Sequence, residues 1–412
     1  MNILWLKTEL LHPIDKGGKI RTYQILRELK REHRITYLTL DDGTASQDER
    51  QRAIEYCDEL VCVPHRLHNK FSAAFYFQLL LNLVSGLPYA VQKYTSAPLR
   101  REIINHVASS PVDVVVCDFL APSANVPRDL SRPSILFQHN VEAVIWKRHF
   151  EVQTNFLKRL YLKGQWLKMR RFERETCRRF DCVIAVSEKD RELMFNDYEV
   201  ETVFDVPTGV DTEFFRPSGT VQVDPNSIVF TGSMDWLPNQ DAIRYFVEEI
   251  MPAIKKARPH VTLTVVGRNP DSALLELSKR DRSISVTGRV DDVRPYIERA
   301  AVYVVPLRVG SGTRLKIFEA MAMEKAIVST TVGAEGLAVR PGVELILADS
   351  PAGFAESVVK VLADKELAGQ LGQKAAQTVR EQFCWPKVAK LFSDVCEEVL
   401  CKHRFENVLW DK

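Results

Sequence analysis

The sequence predicts an α/β chain of two units, each an open sheet wrapped by helices. Three observations carry this. Short apolar runs alternate with longer amphipathic segments throughout, and parallel strands need helical crossovers of that kind. At 412 residues the chain exceeds the size at which one hydrophobic core stops growing, so two units of about 200 residues are expected. Glycine turns follow several of the apolar runs, where such sheets place ligand groups.

In the first half, apolar runs at 2–6, 34–40, 60–63, 113–118, 134–138, 181–186 and 202–206 read as strands. Helical periodicity marks 19–31, 47–57, 70–84, 97–108, 155–179 and 188–196. In the second half the strands are 227–231, 261–266, 284–287, 301–305, 326–329 and 343–347. The helices are 240–256, 271–279, 292–300, 314–323, 352–378 and 386–404. Pro207-Thr208-Gly209-Val210-Asp211 through Gly219 is rich in punctuating residues and marks the boundary. The domains are thus 1–207 and 208–385, with a final helical segment at 386–412 that returns toward the first domain.

Composition narrows the function. Net charge is +2, which gives no case for nucleic acid as a partner. The eight cysteines follow no metal-ligand spacing, and Cys117 and Cys182 lie inside apolar runs as small core residues. A reducing, cytoplasmic compartment is expected. The start, Met1-Asn2-Ile3-Leu4-Trp5-Leu6, reads as a strand and not as a signal peptide. No apolar stretch reaches the eighteen residues needed to span a bilayer.

The most telling stretch is Gly310-Ser311-Gly312-Thr313-Arg314-Leu315-Lys316-Ile317-Phe318-Glu319, directly after the apolar run 301–305. Its glycines and small hydroxyl residues let a ligand approach the backbone, and the helix that follows offers free N–H groups. Arg314 and Lys316 add positive charge, and Glu319 lies three residues past Lys316 on the helix, able to accept two hydroxyl hydrogen bonds. A phosphate cradle beside a carboxylate that grips a diol points to a ribonucleoside diphosphate. The same residues also suit a solvated basic helix start.

Further turns sit at the same expected rim. Gly17 and Gly18 follow the first strand, flanked by Lys16, Lys19 and Arg21, with a helix starting near Ile20. Gly232 and Ser233 follow strand 227–231; Asp235 could cap that turn and Trp236 pack the corner. Arg268 follows strand 261–266 and could fork onto a diphosphate. Gly288 and Arg289 follow strand 284–287, and Thr331, Gly333, Glu335 and Gly336 follow strand 326–329. His139 stands at the end of strand 134–138, a polar group for a reacting centre or a strand-end histidine satisfied by backbone. Glu142 either orients His139 or opens the next helix. Neither a dinucleotide fingerprint nor a Walker sequence is present, so hydride transfer and P-loop hydrolysis lose support. Paired catalytic carboxylates for double-displacement hydrolysis are not evident, and Asp41-Asp42 and Asp291-Asp292 read as loop or helix-start charges, so no metal site is expected.

The arrangement resembles the GT-B glycosyltransferases of family 4, glycosyltransferase group 1, over nearly the whole chain. It carries the resemblance in Thr208-Gly209-Val210-Asp211, Val229 through Met234, Thr287 through Val290, and Gly310 through Thr330. Among these it is most similar to bacterial sugar transferases of exopolysaccharide assembly. The resemblance implies two Rossmann-like domains facing across a cleft, with acceptor binding in 1–207 and nucleotide-sugar binding in 208–385. It implies retaining transfer without a metal or other cofactor, from a nucleotide-diphosphate sugar to a glycan or a lipid-linked saccharide. It places His139, Lys316 and Arg314 in catalysis. Gly17, Gly18, Gly232, Ser233, Arg268, Gly288, Arg289, Ser311, Gly312, Thr313 and Glu319 would hold the donor, Glu319 on its ribose. Two departures matter. The family's paired glutamates are reduced to Glu319, with Ser311 at the first position, and its Arg and Lys after the first strand of the second domain are replaced by Ser233 and Asn239.

Lys158, Arg159, Lys163, Lys168, Arg170, Arg171, Arg174, Arg178 and Arg179 crowd one helical region together with Phe156, Trp166, Leu167 and Phe172. That pattern fits an anionic membrane surface, a phosphorylated acceptor or solvent. Phe71, Phe75, Phe77 and Leu79 to Leu81 form a second apolar surface, of a kind that ordinarily faces a core. Two other functions stay open: a non-hydrolysing nucleotide-sugar epimerase, and a catalytically weak carbohydrate-binding assembly protein.

Overall fold

The computed structural model describes residues 1–69, 71–309 and 315–410. The chain divides into two compact units, Met1–Pro207 with Val388–Lys412, and Thr208–Lys387.

The first unit holds a seven-stranded sheet: β1 (Asn2–Lys7), β2 (Arg34–Asp41), β3 (Glu59–Pro64), β4 (Val114–Asp118), β5 (Ser134–Phe137), β6 (Cys182–Ala185) and β7 (Val203–Asp205). All neighbours pair parallel, in the order β3-β2-β1-β4-β5-β6-β7. The second unit holds β8 (Asp224–Thr231), β9 (Thr262–Val266), β10 (Ile284–Val286), β11 (Ala300–Val305), β12 (Ala326–Ser329) and β13 (Ile346–Leu347). Their order is β10-β9-β8-β11-β12-β13, again all parallel. The central strands are continuous apolar runs because helices cover both faces. Each sheet reverses its winding once, between β1 and β4 and between β8 and β11, and open α/β sheets bind ligands beyond the strand ends at such points.

Strand alternation sorts the first sheet. Leu4 and Leu6 join Leu38, Leu40, Val115, Cys117, Leu136 and Val183 in one apolar layer. Trp5 and Lys7 point to the other face. There Phe392, from the helix Trp385–Trp410, packs at 5.3 Å from the Trp5 ring and 5.1 Å from Phe137.

The structure corrects several element boundaries. The first helix starts at Gly17, not near Ile20. The segment 352–378 is two helices, Pro351–Ala363 and Lys365–Gln382, because Asp364 leaves helical geometry and caps the second by accepting from the Leu367 amide. Segment 47–57 is a short helix followed by a 3-10 turn, and 240–256 contains a π-turn at Phe246–Ile250. The helix Glu142–Val152, of which the sequence offered only a start at Glu142, carries no side-chain cap of its own.

Candidate functional site

The polar centre of the first unit grows from strand register. Leu6 pairs with Cys117, so the next residues, Lys7 and Asp118, end β1 and β4 side by side at the switch point. Trp5 and Lys7 share a face two residues apart and both reach Asp118. Asp118 Oδ2 accepts from Trp5 Nε1 at 3.0 Å, Lys7 Nζ at 2.8 Å and Thr22 Oγ1 at 2.6 Å. His139, two residues past Phe137, donates from Nε2 to Asp118 Oδ1 at 2.7 Å. Its Nδ1 accepts from Arg21 at 3.0 Å. The ring stacks on Phe119 with centroids 3.8 Å apart, and Lys7 Nζ lies 4.3 Å from the Phe119 centroid. Phe119 takes φ +75°, which non-glycine residues rarely adopt and which the surrounding contacts must hold.

Electrostatics follow from burial. Desolvation pushes the His139 ring down to about 3, so it is neutral, one nitrogen donating and the other accepting. Burial also lowers Lys7, opposed by Asp118, and lowers Arg21 to about 10. Against the upward push of burial, Lys7 and His139 hold Asp118 well below the ordinary carboxylate range. Asp118 thus takes the orienting role weighed for Glu142. Glu142 opens the next helix, and its amide donates to Glu173 at 2.8 Å. Asp118 was readable only as the polar end of an apolar strand, a weak signal.

Gly17 and Gly18 form the first residues of the helix Gly17–Leu29. A Cβ on Gly18 would meet the Phe119 ring at 2.8 Å, so this glycine makes room for the ring that covers His139. Beside this centre lies a pocket of about 230 Å³ at the ends of β1 to β3, lined among others by Glu9, His12, Lys19, His65 and Tyr94.

In the second unit the helix Leu315–Ala322 brings Lys316 to the end of β8. Its Nζ donates to Asn239 Oδ1 at 2.9 Å and lies 4.1 Å from the Phe230 ring centroid. A Cβ at Gly232 would stand 2.6 Å from Lys316 Nζ, and one at Gly267 would stand 1.8 Å from the Gly232 carbonyl oxygen. Two glycines therefore let the loops after β8 and β9 cross and admit the ammonium beside them. Glu319, one helical turn on, is half-buried; burial pushes its carboxyl up to about 7, with Lys316 opposing. Among the described residues no hydrogen bond reaches its carboxylate.

The other expected residues fall around this point. Ser233 Oγ accepts from Arg268 Nε at 2.9 Å and donates to Asp235 at 2.5 Å, and Asp235 also accepts from Asn269. Arg268, in the loop after β9, is thereby tied to the loop after β8, and Trp236 is partly exposed. Gly288 takes φ +70° in the turn after β10, and Arg289 beside it is exposed. Thr331 is held by Asp349 at 2.7 Å. Ser311, Gly312, Thr313 and Arg314 lie outside the described residues. Asn239, noted from sequence only as a departure, accepts a hydrogen bond from Lys316. Among the described residues no cluster of three or more His, Cys, Asp and Glu side chains could hold a metal ion, and no helix is long and apolar enough to cross a membrane.

With this geometry in view, comparison with known proteins is informative. Residues 225–364 match the family profile described as glycosyl transferases group 1, and residues 16–214 match that of glycosyltransferase family 4. An uncharacterised 44.6 kDa protein in the cps region of Klebsiella pneumoniae is 21% identical over 278 residues, 65% of this chain and 69% of its own. Among solved structures, sucrose-phosphate synthase from Thermosynechococcus elongatus superposes with a TM-score of 0.68 at 15% identity, covering 97% of this chain and 99% of its own. Anabaena HepE in complex with UDP gives 0.68 at 13% identity, covering 97% and 100%. The fold is therefore of the GT-B type.

Proposed function

Because the chain belongs to the group 1 and family 4 glycosyltransferases, we propose that it moves a sugar, with retention, from a nucleoside-diphosphate donor to a glycan or lipid-linked saccharide. The observation that carries this reading is Lys316, held by Asn239 against the side-chain-free turn at Gly232 and one helical turn before Glu319. The structural relative that carries UDP supports a nucleotide donor.

In this reading the diphosphate lies against the Gly232 turn and Lys316, with Ser311, Gly312, Thr313 and Arg314, which precede Lys316 in the sequence, as further donors. Glu319 accepts the ribose hydroxyls; Arg268, Ser233, Gly288 and Arg289 line the remaining rim. The bond from the anomeric carbon to phosphate oxygen breaks, and Lys316 stabilises the charge left on the diphosphate. The acceptor oxygen attacks from the same face, its proton passing to the leaving diphosphate. A fixed ammonium does here what a divalent cation does elsewhere, so no metal is required. His139, with both nitrogens engaged, positions Arg21 and Asp118 in the first unit. The pocket beside it, with Glu9, Lys19, His65 and Tyr94, offers groups suited to acceptor hydroxyls. The basic helix Phe156–Cys177 supports an anionic membrane surface as partner, on the cytoplasmic side.

A nucleotide-sugar library with product mass analysis and anomeric NMR tests the proposal. Expected are acceptor-dependent release of nucleoside diphosphate, a retained anomeric configuration, and activity that survives EDTA. Lys316→Ala should lower turnover by about 10²–10³-fold, as loss of one electrostatic donor does. Wild-type transfer by a folded Lys316→Ala protein would sink the lysine assignment, and sugar interconversion without acceptor would establish an epimerase instead.

A further inference from the structure

The helix Ala73–Val84 is inverted with respect to a core-packed helix. Phe77, Leu80, Leu81 and Val84, spaced i, i+3, i+4, i+7, form one stripe, and they are 61%, 63%, 50% and 90% exposed. The opposite stripe, Phe75, Gln78, Leu79 and Asn82, faces the protein, and Asn82 is the helix's one fully buried residue. Polar groups anchor that inner side. Gln165 Nε2 donates to Asn82 Oδ1 at 2.7 Å, Lys168 Nζ to the Asn82 carbonyl at 2.6 Å, and Tyr89 OH to Gln78 at 3.2 Å. Of the second apolar surface marked in the sequence, Phe77, Leu80 and Leu81 meet solvent while Phe75 and Leu79 face the protein: hydrogen bonds hold the helix so that its more apolar side is exposed.

The adjoining helix Phe156–Cys177 continues the pattern. Phe156, Leu160, Lys163, Leu167, Arg170 and Arg174 recur at four- and three-residue steps and share one face. Phe156, Leu160 and Leu167 are 75%, 59% and 48% exposed. Residues 156–172 contain no Asp or Glu, and Lys158, Lys163 and Arg170 have no acidic partner among the described residues. Apolar residues and uncompensated cations on two adjacent helices are the physical signature of an interfacial lipid contact.

We propose that these two helices form a monotopic docking face for an anionic bilayer. Phe77, Leu80, Leu81 and Val84 enter the headgroup–acyl boundary while Lys163 and Arg170 meet lipid phosphates. The occupant follows from charge complementarity: a protein partner would leave the cations to be matched one by one, whereas an anionic leaflet matches them all. The inference rests on the anionic-surface part of the proposed function and is independent of the transfer chemistry.

The test is co-sedimentation of the full chain with vesicles of phosphatidylcholine alone and of phosphatidylcholine mixed equally with phosphatidylglycerol. Wild type should pellet with the anionic vesicles and resist high salt in part, because insertion is not screened. Phe77→Ser with Leu81→Ser should lower partitioning about tenfold or more. Lys163→Glu with Arg170→Glu should abolish the preference for anionic lipid. Donor turnover in vesicle-free buffer should be unchanged in both variants, which separates this outcome from failure of the transfer reading. Binding that salt removes completely and the serine variant does not alter would overturn insertion. So would a wild-type protein left in the supernatant, or one that self-associates in sedimentation velocity through these same residues.

Discussion

His139 is held on both sides, by Arg21 on Nδ1 and by Asp118 on Nε2, and that arrangement requires a neutral ring. The sign of its pH linkage follows. Its value in the folded chain, pushed by burial to about 3, lies below the ordinary 6.5, so the folded state binds fewer protons in that window. The stability it contributes is complete above about pH 6.5 and is lost as pH falls toward 3. Asp118, held low by Lys7 and His139 against its burial, acts in the same sense only below the carboxylate range. Glu319 and Glu142, both raised by burial to about 7, act oppositely, so wild type alone does not isolate the ring. His139→Gln should therefore have a flatter acid limb. The difference in melting temperature between wild type and variant should shrink between about pH 7 and about pH 5. Parallel curves would show that the ring does not carry this linkage. The sequence marked His139 as a strand-end polar group. It could not mark Asp118, which lies 21 residues earlier and becomes its neighbour only through the β4–β5 pairing.

The helix Glu142–Val152 illustrates a start that local sequence does not encode. Its first amides, Glu142 and Ala143, donate to the two carboxylate oxygens of Glu173 at 2.8 and 2.9 Å. Gln138 and Tyr198 complete the carboxylate's coordination at 3.1 and 2.9 Å. Glu173 is fully buried on the next long helix, so an acidic residue 31 positions away does the work of a cap. Burial pushes the Glu173 carboxyl up to about 8, so above that pH Glu173→Gln replaces one accepting oxygen by a donor. It should cost about 1–3 kcal/mol, the penalty for a buried group left unmatched. Hydrogen exchange at the Glu142 and Ala143 amides should accelerate more than elsewhere in the first unit. Unchanged protection there would show that the carboxylate is not the cap. By contrast, Asp364 caps its own following helix by an ordinary three-residue reach to Leu367, a signal the sequence does contain and that the single long helix overlooked.

Across the whole molecule, the buried thiols mark one unit only. Cys57, Cys117, Cys177, Cys182 and Cys396 are buried, and all lie in Met1–Pro207 or Val388–Lys412. Burial pushes the Cys57 thiol up to about 12 and raises the other four thiols as well. In the native protein a thiol reagent should label Cys401, which is exposed, and then the half-buried Cys62 and Cys384, leaving these five protected. Pulse labelling through a denaturant titration would then follow unfolding of the first unit alone. The helix Trp385–Trp410 belongs to that transition because Phe392 packs on Trp5 and Phe137. Phe392→Ala should cost about 3–5 kcal/mol and expose the five thiols at lower denaturant. Early native-state labelling of Cys117 or Cys182 would contradict the packing.

Sequence alone determined what depends on neighbours along the chain: the alternation of strand and helix, the two parallel sheets, the glycine turns, and Lys316 and Glu319 on one helical turn. Period and punctuation are local, so they are legible without a fold. Tertiary structure decided which distant side chains share a polar centre, Lys7, Asp118, Arg21 and His139 in one unit and Asn239 with Lys316 in the other. It also decided which side of Ala73–Val84 meets water. A hydrophobic stripe has the same spacing whether it faces a core or solvent, and the hydrogen bonds from Gln165 and Lys168 to Asn82 and from Tyr89 to Gln78 fix the choice.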